Sequence, residues 1–194
     1  MKDCEALVIG GSAGSLDVLL KVFPAINLNI TFPIIIVVHR KQGTDSLLSD
    51  LLSTKTSLTV KEVEEKEAIL AGTIYIVPAD YHLLIEKDLT FSLDYSEKVN
   101  YSRPSIDVTF QSAAEVYEDK LVCLLLSGSN SDGVNGLITV KNYGGETVVQ
   151  DPISAQIDYM PAQAILRAKI DRVLAIGEMA NYINTIGKRP KDNE

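Results

Sequence analysis

The sequence predicts an α/β fold: a three-layer, doubly wound, mostly parallel sheet with an added antiparallel hairpin. Three observations predict it. Continuous apolar runs alternate with segments of helical spacing, as expected for parallel strands buried on both faces and joined by crossover helices. The stretch from Leu58 to Leu93 departs from that alternation, with four short β-rich segments and no helix between them. The chain has 194 residues, 46% hydrophobic and 23% charged, enough for one sizeable core and too few for two. One domain over 1–194 is expected, with a frayed tail over 185–194.

Each element follows from its local pattern. "EALVIG" reads as a buried strand, followed by a helix from about Ser15 to Phe23 that Pro24 helps to end. "PIIIVVH" is a second buried strand, and "TDSLLSDLLST" is helical, with Thr44 or Asp45 as N-cap. "LTVKEV", "TIYIVP", "HLLIEK" and "LTFSLD" are short strands, the last two joined by a tight turn at Lys87-Asp88, and this β-rich middle suggests a hairpin inserted at an edge or rim. "RPSIDVTFQSAAEVY" is a helix, with Pro104 near its first turn and Ser105 or Ser102 as cap. "KLVCLLLSG" is the most apolar strand, and the helix "VNGLITVKNYGG" stops at Gly144 and Gly145. "ETVVQD" is another strand, and "MPAQAILRA", "DRVLAIG" and "EMANYINTI" complete the alternation.

Composition excludes several classes of function. A net charge of -8 argues against nucleic acid and anionic membrane as partners, since both need a basic face. Cys4 and Cys123 build no disulfide framework and no metal-ligand spacing. Asp3 and Glu5 interrupt any signal peptide, and no apolar run reaches the ~18 residues of a membrane span, so a cytoplasmic chain is expected.

The glycine-rich turn after the first strand, "GGSAGS", admits two chemistries. As a phosphate cradle it lacks the Gly-Lys-Ser/Thr closure of a P-loop. As a dinucleotide fingerprint it has Ser12 and Ser15 where glycines are required, and His39-Arg40 where a ribose-binding acid would stand. Arg40 leaves only an NADP reading open. As a nucleophile mount, Gly10-Gly11-Ser12-Ala13-Gly14 is a complete G-x-S-x-G between a strand and a helix. A serine nucleophile needs a base, and the chain has two histidines. His39 ends the second buried strand, at the crevice end of a parallel sheet. His82 opens a hairpin strand and is assigned a structural or supporting role. Asp132, in the loop of "LLLSGSNSDGVNGL", is the orienting acid, although Asp-Gly before a helix is also ordinary turn chemistry. The order Ser12, His39, Asp132 differs from the Ser, Asp, His order of α/β-hydrolases.

These residues lie within a wider resemblance. "VIGGSAGS", "VVHR", "AGTIYIVPADYHLLIE", "VNYSRPSIDVTFQSAA", "LLLSGSNSDGVNGL", "GGETVVQDP" and "MPAQAI" resemble, in order, the motifs of the catalytic domain of CheB-type chemotaxis protein-glutamate methylesterases. The resemblance runs from about residue 5 to 185. It implies a Ser12, His39, Asp132 triad that hydrolyses glutamyl methyl esters on methyl-accepting chemoreceptors, releases methanol and also deamidates receptor glutamines, with no cofactor and no metal. Ala13 N–H and an amide of the Ser129 loop are the implied oxyanion donors. Arg103 is implied either to guide receptor carboxylates or to tie its loop down. Many members carry threonine and methionine where this chain has Ala13 and Ser129, which bears on how the base is held. Members also usually carry a phosphoacceptor receiver domain ahead of the catalytic one. Here the first catalytic strand starts about five residues in, so an enzyme without an attached receiver, active without a phosphodonor, is expected. Control would then come from a separate protein binding near the crevice or from cellular abundance, and a regulator or a methyltransferase in trans is an expected partner. Two other readings remain: a non-catalytic module that binds receptors or a methyltransferase, and a serine esterase for small esters.

Overall fold

The computed structural model describes residues 3–40 and 45–187. Seven strands form one parallel sheet: β1 (Ala6–Gly11), β2 (Ile34–Val38), β3 (Thr59–Glu62), β4 (Thr73–Ile76), β7 (Leu121–Leu125), β8 (Glu146–Gln150) and β9 (Arg172–Leu174). The other two, β5 (His82–Ile85) and β6 (Phe91–Asp94), pair antiparallel as a separate hairpin. Among the described residues, six α-helices accompany the strands: α1 (Ser15–Val22), α2 (Asp45–Ser53), α3 (Ile106–Tyr117), α4 (Val134–Asn142), α5 (Tyr159–Arg167) and α6 (Ile176–Ile186).

The strand order β3-β4-β2-β1-β7-β8-β9 makes the sheet doubly wound about β1. From β1 the chain winds outward through β2 in one direction, and later returns to place β7 on the other side. Such a reversal opens a crevice beyond the C-terminal ends of the central strands, where open α/β sheets bind ligands.

Alternation of side chains divides the core into two layers. Leu7, Ile9, Ile34 and Ile36 face Val18, Leu19, Leu52, Met179 and Ile183 of α1, α2 and α6. Ala6, Val8, Ile35 and Val37 face Phe110, Leu137 and Ala164 of α3, α4 and α5, together with Leu83 and Phe91 of the hairpin. Strands buried on both faces explain the uninterrupted apolar runs, because no position of β1, β2 or β7 faces water.

The structure divides the β-rich middle. "LTVKEV" and "TIYIVP" supply β3 and β4, which extend the parallel sheet at its edge; only the last two segments make the hairpin. β4 is buried at every position and β3 lies partly open at the sheet edge, and neither pattern tells whether a short strand's neighbour runs parallel or antiparallel. The turn at Lys87-Asp88 is present, closed by Leu89 N–H donating to Glu86 O at 3.0 Å. Thr44 lies outside the described residues, as does the tail beyond residue 187. Among the described residues no helix is long and apolar enough to cross a membrane.

Candidate active site

Strand register assembles the site. Gly11 pairs with Val38 of β2, and Gly10 with Leu125 of β7, so Ser12 emerges between His39 on one side and the loop from Ser127 on the other. Two backbone hydrogen bonds extend that pairing past the strand ends: Ser12 N–H donates to Ser127 O at 2.9 Å, and His39 N–H to Gly11 O at 3.2 Å.

The turn carrying Ser12 is sharp because Gly14 has φ of 84°, a left-handed conformation that glycine adopts without steric cost. Ser15 Oγ then donates to Ser12 O at 2.6 Å as α1 begins. Across the crevice Gly128 lets the loop approach closely: a Cβ there would stand 2.5 Å from Met160 Cε and 3.1 Å from Ser12 Cβ. Ser127 Oγ accepts from Ile157 N–H at 3.0 Å and lies 2.8 Å from Ala13 O, which braces the turn from behind. The turn is held by its neighbours while the serine stays partly open to solvent.

His39 Nε2 meets Asp132 Oδ2 at 2.8 Å. Asp132 is fully buried and accepts from five donors. Oδ2 also takes Ile106 N–H at 2.7 Å, and Oδ1 takes Asn100 Nδ2, Ser105 Oγ and Asp107 N–H at 2.9, 2.9 and 3.1 Å. Burial alone would raise its pKa, but the hydrogen bonds from His39, Asn100 and the first turn of α3 outweigh that and hold it below the usual aspartate range. An ionised Asp132 accepts only, so His39 carries its proton on Nε2 and presents Nδ1 as the acceptor. Among the described residues, Ser12 Oγ makes no hydrogen bond to that ring, yet both side chains line one cleft of about 240 Å³. Such contacts often tighten only with substrate bound. Leu16, Leu19, Val38, Leu48 and Leu51 make most of the remaining wall apolar, and Ser15 and Arg40 complete it.

His82 sits differently. Ser105 N–H donates to its Nδ1 at 3.1 Å and its Nε2 meets Glu97 O at 3.0 Å, so both ring nitrogens are occupied and the ring is buried. Ser105 is the N-cap of α3 as expected, but its hydroxyl makes no cap bond. Asp132 does the capping from across the crevice, placing a negative charge at a helix N-terminus.

The remaining expected residues fall as follows. Ala13 is exposed at the turn, its N–H without a hydrogen-bond partner among the described residues, and Ser129 is exposed on the loop opposite. Arg103 Nη1 donates to Tyr95 O at 3.1 Å and Ser96 O at 2.6 Å, and its guanidinium lies 3.8 Å over the Tyr95 ring. That engagement ties the loop down, although Arg103 also borders a second cleft beside His39 with Lys98 and Tyr101. Arg40 pairs with Glu62 at 2.6 Å and donates to Val77 O at 2.8 Å. Among the described residues, no three His, Cys, Asp or Glu side chains gather as a metal site would require.

Sequence reasoning missed Asn100, Ser105 and Asp107 as the shell around Asp132. All three lie in "VNYSRPSIDVTFQSAA", where serine and aspartate at a helix start read simply as caps.

The model of the CheB methylesterase family matches residues 7–183. The chain belongs to that family. A Leptospira interrogans relative, provisionally named protein-glutamate methylesterase/protein-glutamine glutaminase, is 47% identical over 176 residues, covering 91% of each chain. The Thermotoga maritima protein-glutamate methylesterase/protein-glutamine glutaminase is 36% identical over 173 residues, which is 88% of this chain and 50% of that one. The crystal structure of the Thermotoga maritima CheB methylesterase catalytic domain superposes with a TM-score of 0.90 at 33% identity, over 94% of this chain and 98% of the other. The chain thus spans nearly all of one relative and half of another.

Proposed function

We propose that this chain hydrolyses γ-glutamyl methyl esters on methyl-accepting chemoreceptors, releasing methanol, with Ser12 as nucleophile, His39 as base and Asp132 as orienting acid. The 2.8 Å contact between His39 and a buried, ionised Asp132, beside a serine on a G-x-S-x-G turn, carries the reading. The relatives' names supply the substrate class.

The geometry supports a two-step acyl transfer. His39 Nδ1 takes the Ser12 proton as Oγ attacks the ester carbonyl, while Asp132 stabilises the imidazolium through Nε2–H. The oxyanion is met by the unpartnered Ala13 N–H and by an amide of the Ser129 loop. Collapse expels the methoxy group, which leaves as methanol with the proton from Nδ1. Water, deprotonated by the same nitrogen, then cleaves the acyl-enzyme and frees the glutamate carboxylate. A glutamine side chain follows the same course with ammonia as leaving group. The leucines and Val38 of the cleft suit the methyl ester and the apolar face of a receptor helix, with Arg40, among the described residues, as the cleft's one permanently charged lining residue. Action on the cytoplasmic methylation helices of receptors follows from that substrate.

Receptors carrying labelled methyl esters test this. The chain should release labelled methanol from them and leave simple esters of similar reactivity largely intact. Preference for the simple ester would indicate a general esterase, and release from neither a binding module.

A further inference from the structure

One side chain joins the two carboxylates behind the site. Asn100 Nδ2 donates to Asp132 Oδ1 at 2.9 Å and to Asp107 Oδ2 at 2.8 Å. Asp107 is itself buried, 3% exposed, and its Oδ1 takes Gly136 N–H at 2.7 Å while Oδ2 lies 3.3 Å from Asn135 Nδ2. It therefore fastens the start of α4, just past Asp132, to the start of α3.

The backbone around Asn100 is shaped for this reach. Asn100 and Tyr101 have φ of 51° and 63°, both left-handed. They form a two-residue turn closed by Val99 N–H to Ser102 O at 3.2 Å and Ser102 N–H to Val99 O at 2.9 Å. Asparagine tolerates that conformation and tyrosine does not readily, and non-glycine residues held there gather at functional sites. The turn leaves Tyr101 98% exposed at the rim of the His39 cleft and turns the Asn100 amide inward.

We infer that Asn100 is the positioning residue for Asp132, and that Asp107 holds Asn100 in place for that task. The inference rests on reading Ser12, His39 and Asp132 as the reacting triad. One N–H bond of the planar amide holds Asp132 Oδ1 and the other anchors the amide on Asp107 Oδ2, so Asn100 adds a braced side-chain donor to the Ser105, Ile106 and Asp107 donors that keep Oδ2 aimed at His39 Nε2. Asp107, raised above the usual range by burial and by the neighbouring Asp132 charge, shares this donor with the acid. The charged or titratable groups facing Asp132 are His39 from the end of β2 and Asp107 from α3. His82 reaches it only through Ser105, Lys98 and Arg40 border the His39 cleft, and Arg103 is turned onto Tyr95 and Ser96.

Asn100→Gly separates the amide from the turn, because glycine keeps the left-handed backbone and removes only the donor. Methanol release should fall about 10- to 100-fold in kcat with KM little changed, as expected for losing a hydrogen bond to a charged acceptor. The acid limb of the pH–rate profile should move to higher pH, since a less neutralised Asp132 holds the His39 proton more tightly. Asn100→Asp, also compatible with the turn, should move the limb further by adding a third negative charge. Wild-type kcat in Asn100→Gly, or a loss that tracks the folded fraction with the limb unmoved, would overturn the inference. Ser12→Ala run alongside keeps the two readings apart: its inactivity upholds the triad whatever Asn100 does, and its activity removes the basis for both.

Discussion

The two histidines lie at opposite ends of the Asp132–Ser105 network, and their ring nitrogens are satisfied to different degrees. His39 spends one nitrogen on a buried carboxylate and leaves the other facing Ser12's cleft. His82 spends both, one on a backbone N–H at the start of α3 and one on a carbonyl after β6, and has no proton to exchange without breaking a bond. The difference teaches that a histidine's chemistry is set by what its second nitrogen meets. A reactive imidazole is half satisfied; a structural one is wholly so.

Exchanging the residues should break this comparison most sharply at position 39. His39→Gln should lower methanol release by about 10⁴-fold or more with little change in melting temperature, by analogy with other serine hydrolase triads. His82→Gln should do the reverse. Glutamine can still donate to Glu97 O and accept from Ser105, so a measurable fraction of activity should persist, with a stability loss of roughly 1–3 kcal/mol for imperfect bonds. Denaturation curves beside turnover would check both, and an inactive but stable His82→Gln would erase the distinction drawn here.

Acid provides a finer probe. Asp132 is held below its ordinary value in the folded state, so it contributes stability that is present above the unfolded aspartate value and lost as pH falls through the folded one. Asp107 has the opposite sign: its raised value makes ionisation a cost that appears as pH rises from the ordinary range to the raised one. The stability gap between wild type and Asp132→Asn should therefore narrow as the pH is lowered below the usual aspartate range. A gap that stayed constant would show that the Asp132 charge contributes nothing to the fold.

The smallest effect is expected at the thiols. Burial pushes Cys4 up to about 12 and Cys123 well above its ordinary value, so neither offers thiolate at neutral pH. Thiol reagents should label the native chain only as fast as it opens; rapid labelling of either would contradict their packing in the core.

Much of this was legible in the sequence. Continuous runs such as "PIIIVVH" could only be strands covered on both faces, and the ends of such strands are where Ser12 and His39 stand. The pairing of β3 and β4 was not legible, because the apolar pattern of so short a strand carries no direction for its neighbour. Nor was the support of Asp132. Its donors come from residue 39 and from residues 100–107, and a contact of that sequence separation leaves no local periodicity to read. Asn100 in particular looks like an ordinary turn residue until its amide is seen facing two carboxylates.

The central claim is that Ser12 forms the bond to the substrate carbonyl. Its hydroxyl is partly exposed and contributes little to packing, so Ser12→Ala should fold and melt like the wild type. With methyl-labelled receptors as substrate, the account predicts that this variant releases methanol about 10⁴-fold or more slowly than the wild type. Release at a comparable rate from the folded variant would remove Ser12 from the mechanism.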